Sequence, residues 1–202
     1  MQVHSSHRPW LLISIILPLF LLLSGCGINT IPTLDEKTKS AWAEVQNQYQ
    51  RRADLVPNLV ETVKGYASHE RETLQAVTEA RAKVGSMQIN SETLNNPEQL
   101  RAFEQAQGEL SSALQRLMVV VERYPDLKAN QNFLNLQSQL EGTENRIAIA
   151  RRDFIQTVGA FNTEIRTFPG RIWHSILYSD LPIKENFEAT SANAERAPEV
   201  NF

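Results

Sequence analysis

The side chains that could do chemistry in this 202-residue chain are few: one cysteine (Cys26), two histidines beyond the N-terminal segment (His69 and His174), and carboxylates spread along the length. A di-iron site between helices uses Glu-x-x-His pairs, because positions i and i+3 project from one face. Tyr66 and Arg171 stand three residues before the histidines, so that ligand set is missing. His69-Glu70 would need a second histidine at 73 to resemble a zinc-hydrolase helix, and Thr73 is there. No G-x-S-x-G turn, P-loop or G-x-G-x-x-G loop occurs. The sequence therefore assigns no catalytic residue, no metal ligand and no cofactor. A single cysteine excludes an internal disulfide framework. Arg151-Arg152-Asp153-Phe154 reads as a solvated helix face, with Glu144 and Asp153 close enough to pair with neighbouring arginines. Glu70 reads as the exposed edge of an apolar seam. Phe133, Phe154 and Phe161, at helical spacing, read as core rather than as a lipid groove.

Cys26 directly follows an apolar stretch. Trp10 to Leu23 carries no charge and contains Pro18. As a helix it reaches roughly 21 Å, short of the roughly 30 Å hydrocarbon core of a bilayer. Leu23-Ser24-Gly25-Cys26 resembles the lipoprotein signal of bacteria. Small residues before the cysteine suit a peptidase that cuts there, and the thiol takes a diacylglyceryl group. Residues 1–25 are thus expected to be a signal peptide and Cys26 a lipidation site, whose acyl chains hold membrane lipid at about 0.8 kcal/mol per buried CH₂. Gly27, in place of Asp, resembles the sorting signal for the outer membrane, facing the periplasm. The alternative is a chance cysteine in a slightly short single-pass membrane helix.

Net charge is −3 with both signs mixed throughout, so no basic patch points to nucleic acid. After a polar tether at 26–33, apolar residues recur in steps of three and four. They run from Trp42 through Val45, Tyr49, Val56, Leu59 and Val63 to Val77 and Val84. Arg52, Glu70 and Thr73 interrupt the series. Asn96, Pro97 and Gln99 make a helix start with cap, first-turn proline and capping box. Leu100, Phe103, Gln107, Leu110, Leu114, Leu117, Val121 and Tyr124 form a second seam. A third runs from Phe133 through Leu140, Ile147, Phe154 and Phe161 to Phe168, before Pro169-Gly170. Narrow stripes of this kind are seams of a bundle or coiled coil. The expected fold is all-α: an antiparallel up-and-down four-helix bundle over 34–178, followed by an extension at 179–202 that is disordered at its end. Pro57 leaves two readings, a kinked continuous helix or a turn at Asp54–Pro57. Segments 34–56, 57–84 and 97–123 are similar in length. A straight helix would also leave Trp42, Val45 and Tyr49 in need of a cover. The turn is therefore favoured.

If the loop at 85–96 brings Val84 level with Pro97, counting back along antiparallel helices brings Tyr124 level with about Pro57. Arg51, Arg52, Asp54 and Asn58 should then cluster with Tyr124, Asp126, Lys128 and Asn130. The plain reading of that cluster is mutual capping of helix ends. The functional reading is a protein-binding end.

The blocks "QNQYQRRADLVPNLVETVKGYASHE", "VTEAR", "ERYPDLKANQNFLNLQSQLEGTENRIAIARRDF", "FNTEI", "FPG" and "NFE" resemble the LemA family from about Trp42 to Glu188. The resemblance implies a helical bundle in a bacterial, membrane-attached protein. Many members carry an N-terminal transmembrane helix, from which the lipobox-like end departs, and the family's biochemical activity is not established. The expected function is a non-enzymatic, membrane-anchored envelope scaffold or interaction module with an unknown envelope protein partner, homo-oligomerisation being left open. The alternative is an envelope enzyme or a small-ligand or lipid-binding bundle. A filled interior would favour the first, and a sizeable cavity lined by polar side chains the second.

Overall fold

The structure, a computed structural model, describes residues 27–87 and 89–187. The signal segment 1–25, Cys26 and the end of the C-terminal extension lie outside them. Helix α1 spans Thr30–Lys64, α2 Arg71–Gly85, α3 Pro97–Val121, α4 Pro125–Lys128, α5 Gln131–Glu164 and α6 Gly170–Leu177, with a 3-10 turn at Ser91–Asn95. The described residues contain no strand. The chain reverses at 65–70, 86–96 and 122–130, giving an up-down-up-down bundle. α1 lies along α5, and α2 fills the space between α1 and α3.

The first reversal is not where the sequence was expected to turn. α1 runs unbroken through Pro57, and the turn comes at Gly65–Glu70. Proline inside a helix costs about 3 kcal/mol and removes the bond to the carbonyl four residues back. Each buried Val or Leu returns roughly 1.5–3 kcal/mol, and Val56, Leu59 and Val63 continue the seam of Val45. The carbonyl that Pro57 cannot serve, Ala53 O, accepts a hydrogen bond from Arg81 Nε of α2 at 3.1 Å. The burial of Trp42, Val45 and Tyr49 comes from elsewhere. Phe103 of α3, Phe154 of α5 and Phe187 close around Trp42. The 86–96 segment covers the rest, with Trp42 Nε1 and Gln46 Nε2 donating to the carbonyls of Asn90 and Ile89.

That segment also upsets the expected register. Lys83 pairs with Glu109 at 2.7 Å, so α2 ends beside the middle of α3 instead of beside Pro97. The connection runs on past the first turns of α3, burying Leu94 completely. Asn96 caps α3 as expected, its Oδ1 accepting from the amides of Glu98 and Gln99. The capping box, however, belongs to the 3-10 turn, between Asn90 and Thr93.

α1 also begins earlier than the expected tether allowed. Pro32 sits in its first turn, where amides have no helical partner in any case. Ile31 is buried against Phe161 and Ile165. Beyond α6, residues up to Phe187 are strapped to the bundle. Asn162 brackets Lys184 with two bonds, and Glu185 N donates to Leu94 O at 2.9 Å.

Three apolar clusters stack along the bundle: one around Val63, Leu117 and Phe133, one around Trp42, Phe103 and Phe154, and one around Ile31, Phe161 and Ile165. Buried polar groups separate them. Arg52 and Gln107 lie between the first two; Asp35 and Lys184 lie towards the third.

Candidate functional site

Arg52 comes at a seam position of α1, so helical periodicity aims it inward, and it is only 2% exposed. Its Nη1 donates to Ser111 Oγ at 2.8 Å and to Glu144 Oε1 at 2.9 Å. Its Nη2 donates to Gln107 O at 3.2 Å and, in a short contact, to Gln107 Oε1. One guanidinium thereby joins α1, α3 and α5, which suits its planar fork of donors. Its central carbon also stands 5.1 Å from the Tyr49 ring centroid. One turn towards Trp42, Arg151 of α5 repeats the device, donating to Tyr49 Oη at 3.2 Å and Glu104 Oε1 at 3.1 Å. Arg151 also caps the Phe187 ring at 4.1 Å.

These side chains line a cleft of about 240 Å³ between α3 and α5. It adjoins a groove of about 520 Å³ that shares Ser111 and Glu144 and continues past Leu114, Met118 and Leu140. Arg52 Nε and Gln107 Nε2 are buried donors with no protein acceptor. Charges alternate here, Arg52 with Glu144 and Arg151 with Glu104, so the layer acts as an interhelical lock of matched charge.

A second lock ties down the C-terminal strap. Asp35 meets Lys184 and Lys39, each at 2.7 Å. Burial pushes the Asp35 carboxyl up, but the hydrogen-bonded ammoniums of Lys184 and Lys39 outweigh it and hold the group below the usual carboxylate range. The same bond to Asp35, with Glu36 adding to it, raises the Lys39 ammonium. Lys184 also sits 4.9 Å from the Phe161 ring centroid.

The structure does not bring the eight expected partner-binding residues together. At the tip formed by 65–70 and 122–130, Tyr124 Oη donates to Glu70 Oε1 at 3.0 Å. Arg123 meets the same carboxylate at 2.9 Å. The bond to Glu70, aided by burial, raises the Tyr124 hydroxyl above its ordinary value. Asn130 caps α5 through Phe133 N and donates to Tyr66 Oη at 2.9 Å. Lys128 pairs with Glu122, and Asp126 is exposed. Arg51, Arg52, Asp54 and Asn58 instead sit down α1, Arg52 roughly 20 Å below the tip at 1.5 Å per residue. Arg51, Asp54 and Asn58 are exposed there, with Asp54 accepting from Gln50. The expected neighbours of Tyr124 are thus replaced by Tyr66 and Glu70, because the turn falls a dozen or so residues later than Asp54. The solvated reading of "RRDF" fails at Arg151, whose partners lie on α1 and α3, while Arg152 and Asp153 are exposed as expected. From the sequence, Arg52 read as a break in the first seam, Gln107 as a member of the second, and Glu144 as a local partner for neighbouring arginines. Arg52 and Gln107 at seam positions were the signal that a polar layer existed.

Among the described residues no three His, Cys, Asp or Glu side chains converge as a metal-binding group, and no helix is long and apolar enough to cross a membrane.

A sequence model of the LemA family matches residues 41–202. The chain belongs to the LemA family. This LemA-family chain is similar to Magnetosome protein MamQ 2 of Paramagnetospirillum magneticum, 27% identical over 157 residues. That alignment covers 70% of this chain and 58% of the relative. It is similar to Protein LemA of Metamycoplasma hominis, 25% identical, with 69% and 60% covered. It is similar to Magnetosome protein MamQ of Magnetospirillum gryphiswaldense, 24% identical, with 70% and 58% covered. The match spans less than two thirds of these relatives' length.

Proposed function

We propose that this LemA-family chain is a non-enzymatic, membrane-anchored stalk of the bacterial envelope that presents a protein-binding tip. The observation that carries the reading is its polarity. Gly27, four residues past the apolar run, lies at one pole, and the Tyr66–Tyr124–Asn130 tip lies at the other. The helix between them, α1, is about 50 Å long at 1.5 Å per residue. Two buried polar layers fasten α3, α5 and the C-terminal strap to it. Anchorage is through acylated Cys26 in the outer membrane facing the periplasm; an uncleaved single-pass helix is the alternative. Exposed Asp126 and Lys128, with Tyr66 45% exposed, supply the charged and aromatic contacts a partner would use. Arg52 belongs to the lock rather than to this surface.

Two measurements test the reading. Labelled fatty acid should enter the parent chain and not Cys26→Ser. Photo-crosslinkers at Asp126 or Lys128 should trap a partner in cells, whereas the same group at Gln115, exposed on the flank of α3, should not. Equal trapping at all three positions would reject a specific tip.

A second reading, a ligand-binding bundle, is favoured by one observation. The cleft beside Arg52 contains two unpartnered donors and opens into the 520 Å³ groove. Such a ligand would bring an acceptor oxygen, and Gln107→Leu should abolish its binding while leaving partner capture at the tip intact.

A further inference from the structure

Five of the ten exposed large apolar side chains among the described residues fall within residues 168–183: Phe168 at 82%, Ile176 at 67%, and Ile172, Leu177 and Ile183 near half. They therefore form a patch rather than the scattered exposure normal for a surface. α6 is amphipathic. Its inner side places Trp173 against the cluster of Ile31, Phe161 and Ile165, and the following turn adds Tyr178 and Leu181. Its outer side presents Ile172 and Ile176, one turn apart. Gly170 holds this short helix tightly to the end of α5, since a Cβ there would lie 2.3 Å from Glu164 O. Exposed Arg166 and Arg171 flank the apolar side, with Asp180 nearby.

The position of this patch identifies what covers it. A methyl group built on Gly27 would lie 3.8 Å from Trp173 Nε1 and 3.9 Å from Pro169 Cγ. The charge-free run ends at Leu23. Four residues span at most about 14 Å. Whatever lipid phase takes up that run, or the acyl chains of Cys26 one residue away, is therefore within about 14 Å of Gly27, which lies against α6. An eight-residue helix would bind a bilayer weakly alone. Tethering converts its contact into an intramolecular one, for which a short link gives an effective concentration of about millimolar.

We infer that residues 168–183 form a membrane foot. α6 lies in the interface of the anchoring bilayer with Phe168, Ile172, Ile176 and Leu177 among the acyl chains, and Arg166 and Arg171 towards lipid phosphates. The foot fixes the stalk's angle to the membrane, whereas the anchor alone would leave it free to swing. The inference rests on the membrane-anchored reading above.

The test uses the full chain isolated from bacterial membranes with Cys26 acylated, a thioether that takes no spin label, in vesicles of phosphatidylethanolamine and phosphatidylglycerol. Flotation reports anchorage. A nitroxide at Ile176→Cys, or separately at Val119→Cys (71% exposed on α3), reports surroundings through collision with oxygen or with an aqueous nickel chelate. The expected result is an oxygen-to-nickel ratio several-fold higher at 176 than at 119, reduced to the value at 119 when Ile172→Glu and Leu177→Glu are added. Both side chains are about half exposed, so circular dichroism should show the bundle intact. Flotation with equal ratios at 176 and 119 overturns the foot and leaves the anchor standing. Failure to float overturns both. Spin–spin broadening at 176 means a second copy covers the patch, and protection from both reagents means another segment of the chain does; either result overturns the lipid assignment.

Discussion

Pro57 and Arg81 should be energetically coupled although they stand on different helices. Pro57 has no amide to offer the carbonyl of Ala53, which is buried, at 5% exposure. Arg81 Nε fills that role at 3.1 Å. Arg81→Met keeps much of the aliphatic stem and deletes the donor. A buried acceptor left unpaired costs about 1–3 kcal/mol. In Pro57→Ala the helix regains its own amide donor, positioned to serve Ala53 O without help. Arg81→Met in that background should then cost roughly 0.5 kcal/mol or less, the range of an ordinary surface change. The coupling from the double-mutant cycle should accordingly be about 1–2 kcal/mol, well outside the roughly 0.3–0.5 kcal/mol expected of independent sites. Urea unfolding of the four proteins followed by far-ultraviolet circular dichroism gives the cycle, provided the slopes agree. Additive losses would refute the reasoning. They would mean that Ala53 O is adequately hydrated, or that Arg81 acts through packing alone.

The Arg52 lock should respond asymmetrically. Glu144→Ala leaves the guanidinium charge buried among neutral partners and should cost about 1.5–3 kcal/mol. Arg52→Met removes that charge and lets Glu144, 44% exposed, hydrate, so its loss in the same melts should be smaller. Leu114 is 4% exposed, and Leu114→Ala should cost about 2 kcal/mol, the low end for such truncations, because Leu114 borders the open groove. Gln115→Ala should change thermal stability by about 0.5 kcal/mol or less, and equal effects would put the seam out of phase. Asp35 is held below its ordinary value of 3.8, so its partnership with Lys184 and Lys39 stabilises fully above that pH and is lost as pH falls through the depressed value. Asp35→Asn should therefore be less stable than the parent at neutral pH, with the gap closing below 3.8; a gap that does not change with pH would contradict the ionised clamp.

The sequence by itself determined the helical class, the start of α3 at Asn96-Pro97, and the buried faces of α1 as far as Val63, of α3, and of α5 as far as Phe161; Phe168, expected to continue the third seam, is 82% exposed because α5 ends at Glu164. Those features depend on interactions within a few residues: side-chain caps on free amides, and apolar side chains repeating with the helical turn. The same local signals pointed to Glu70 as an edge residue. Only the tertiary structure decided where α1 stops, because the cost of Pro57 is offset by a continuous seam and by a donor from another helix. Only it decided the register, since the 86–96 segment covers Trp42 and runs on past the start of α3. For the candidate site, Tyr124 and Asn130 were legible as the end of a helix. Their neighbours Tyr66 and Glu70 were not, because they depended on that register. Arg52 was visible as an interruption in a seam. Its meaning was not, because its partners Ser111 and Glu144 lie 59 and 92 residues away, and no local rule connects such distances. A buried charge is tolerated only when such partners converge, and convergence is a property of the packed bundle.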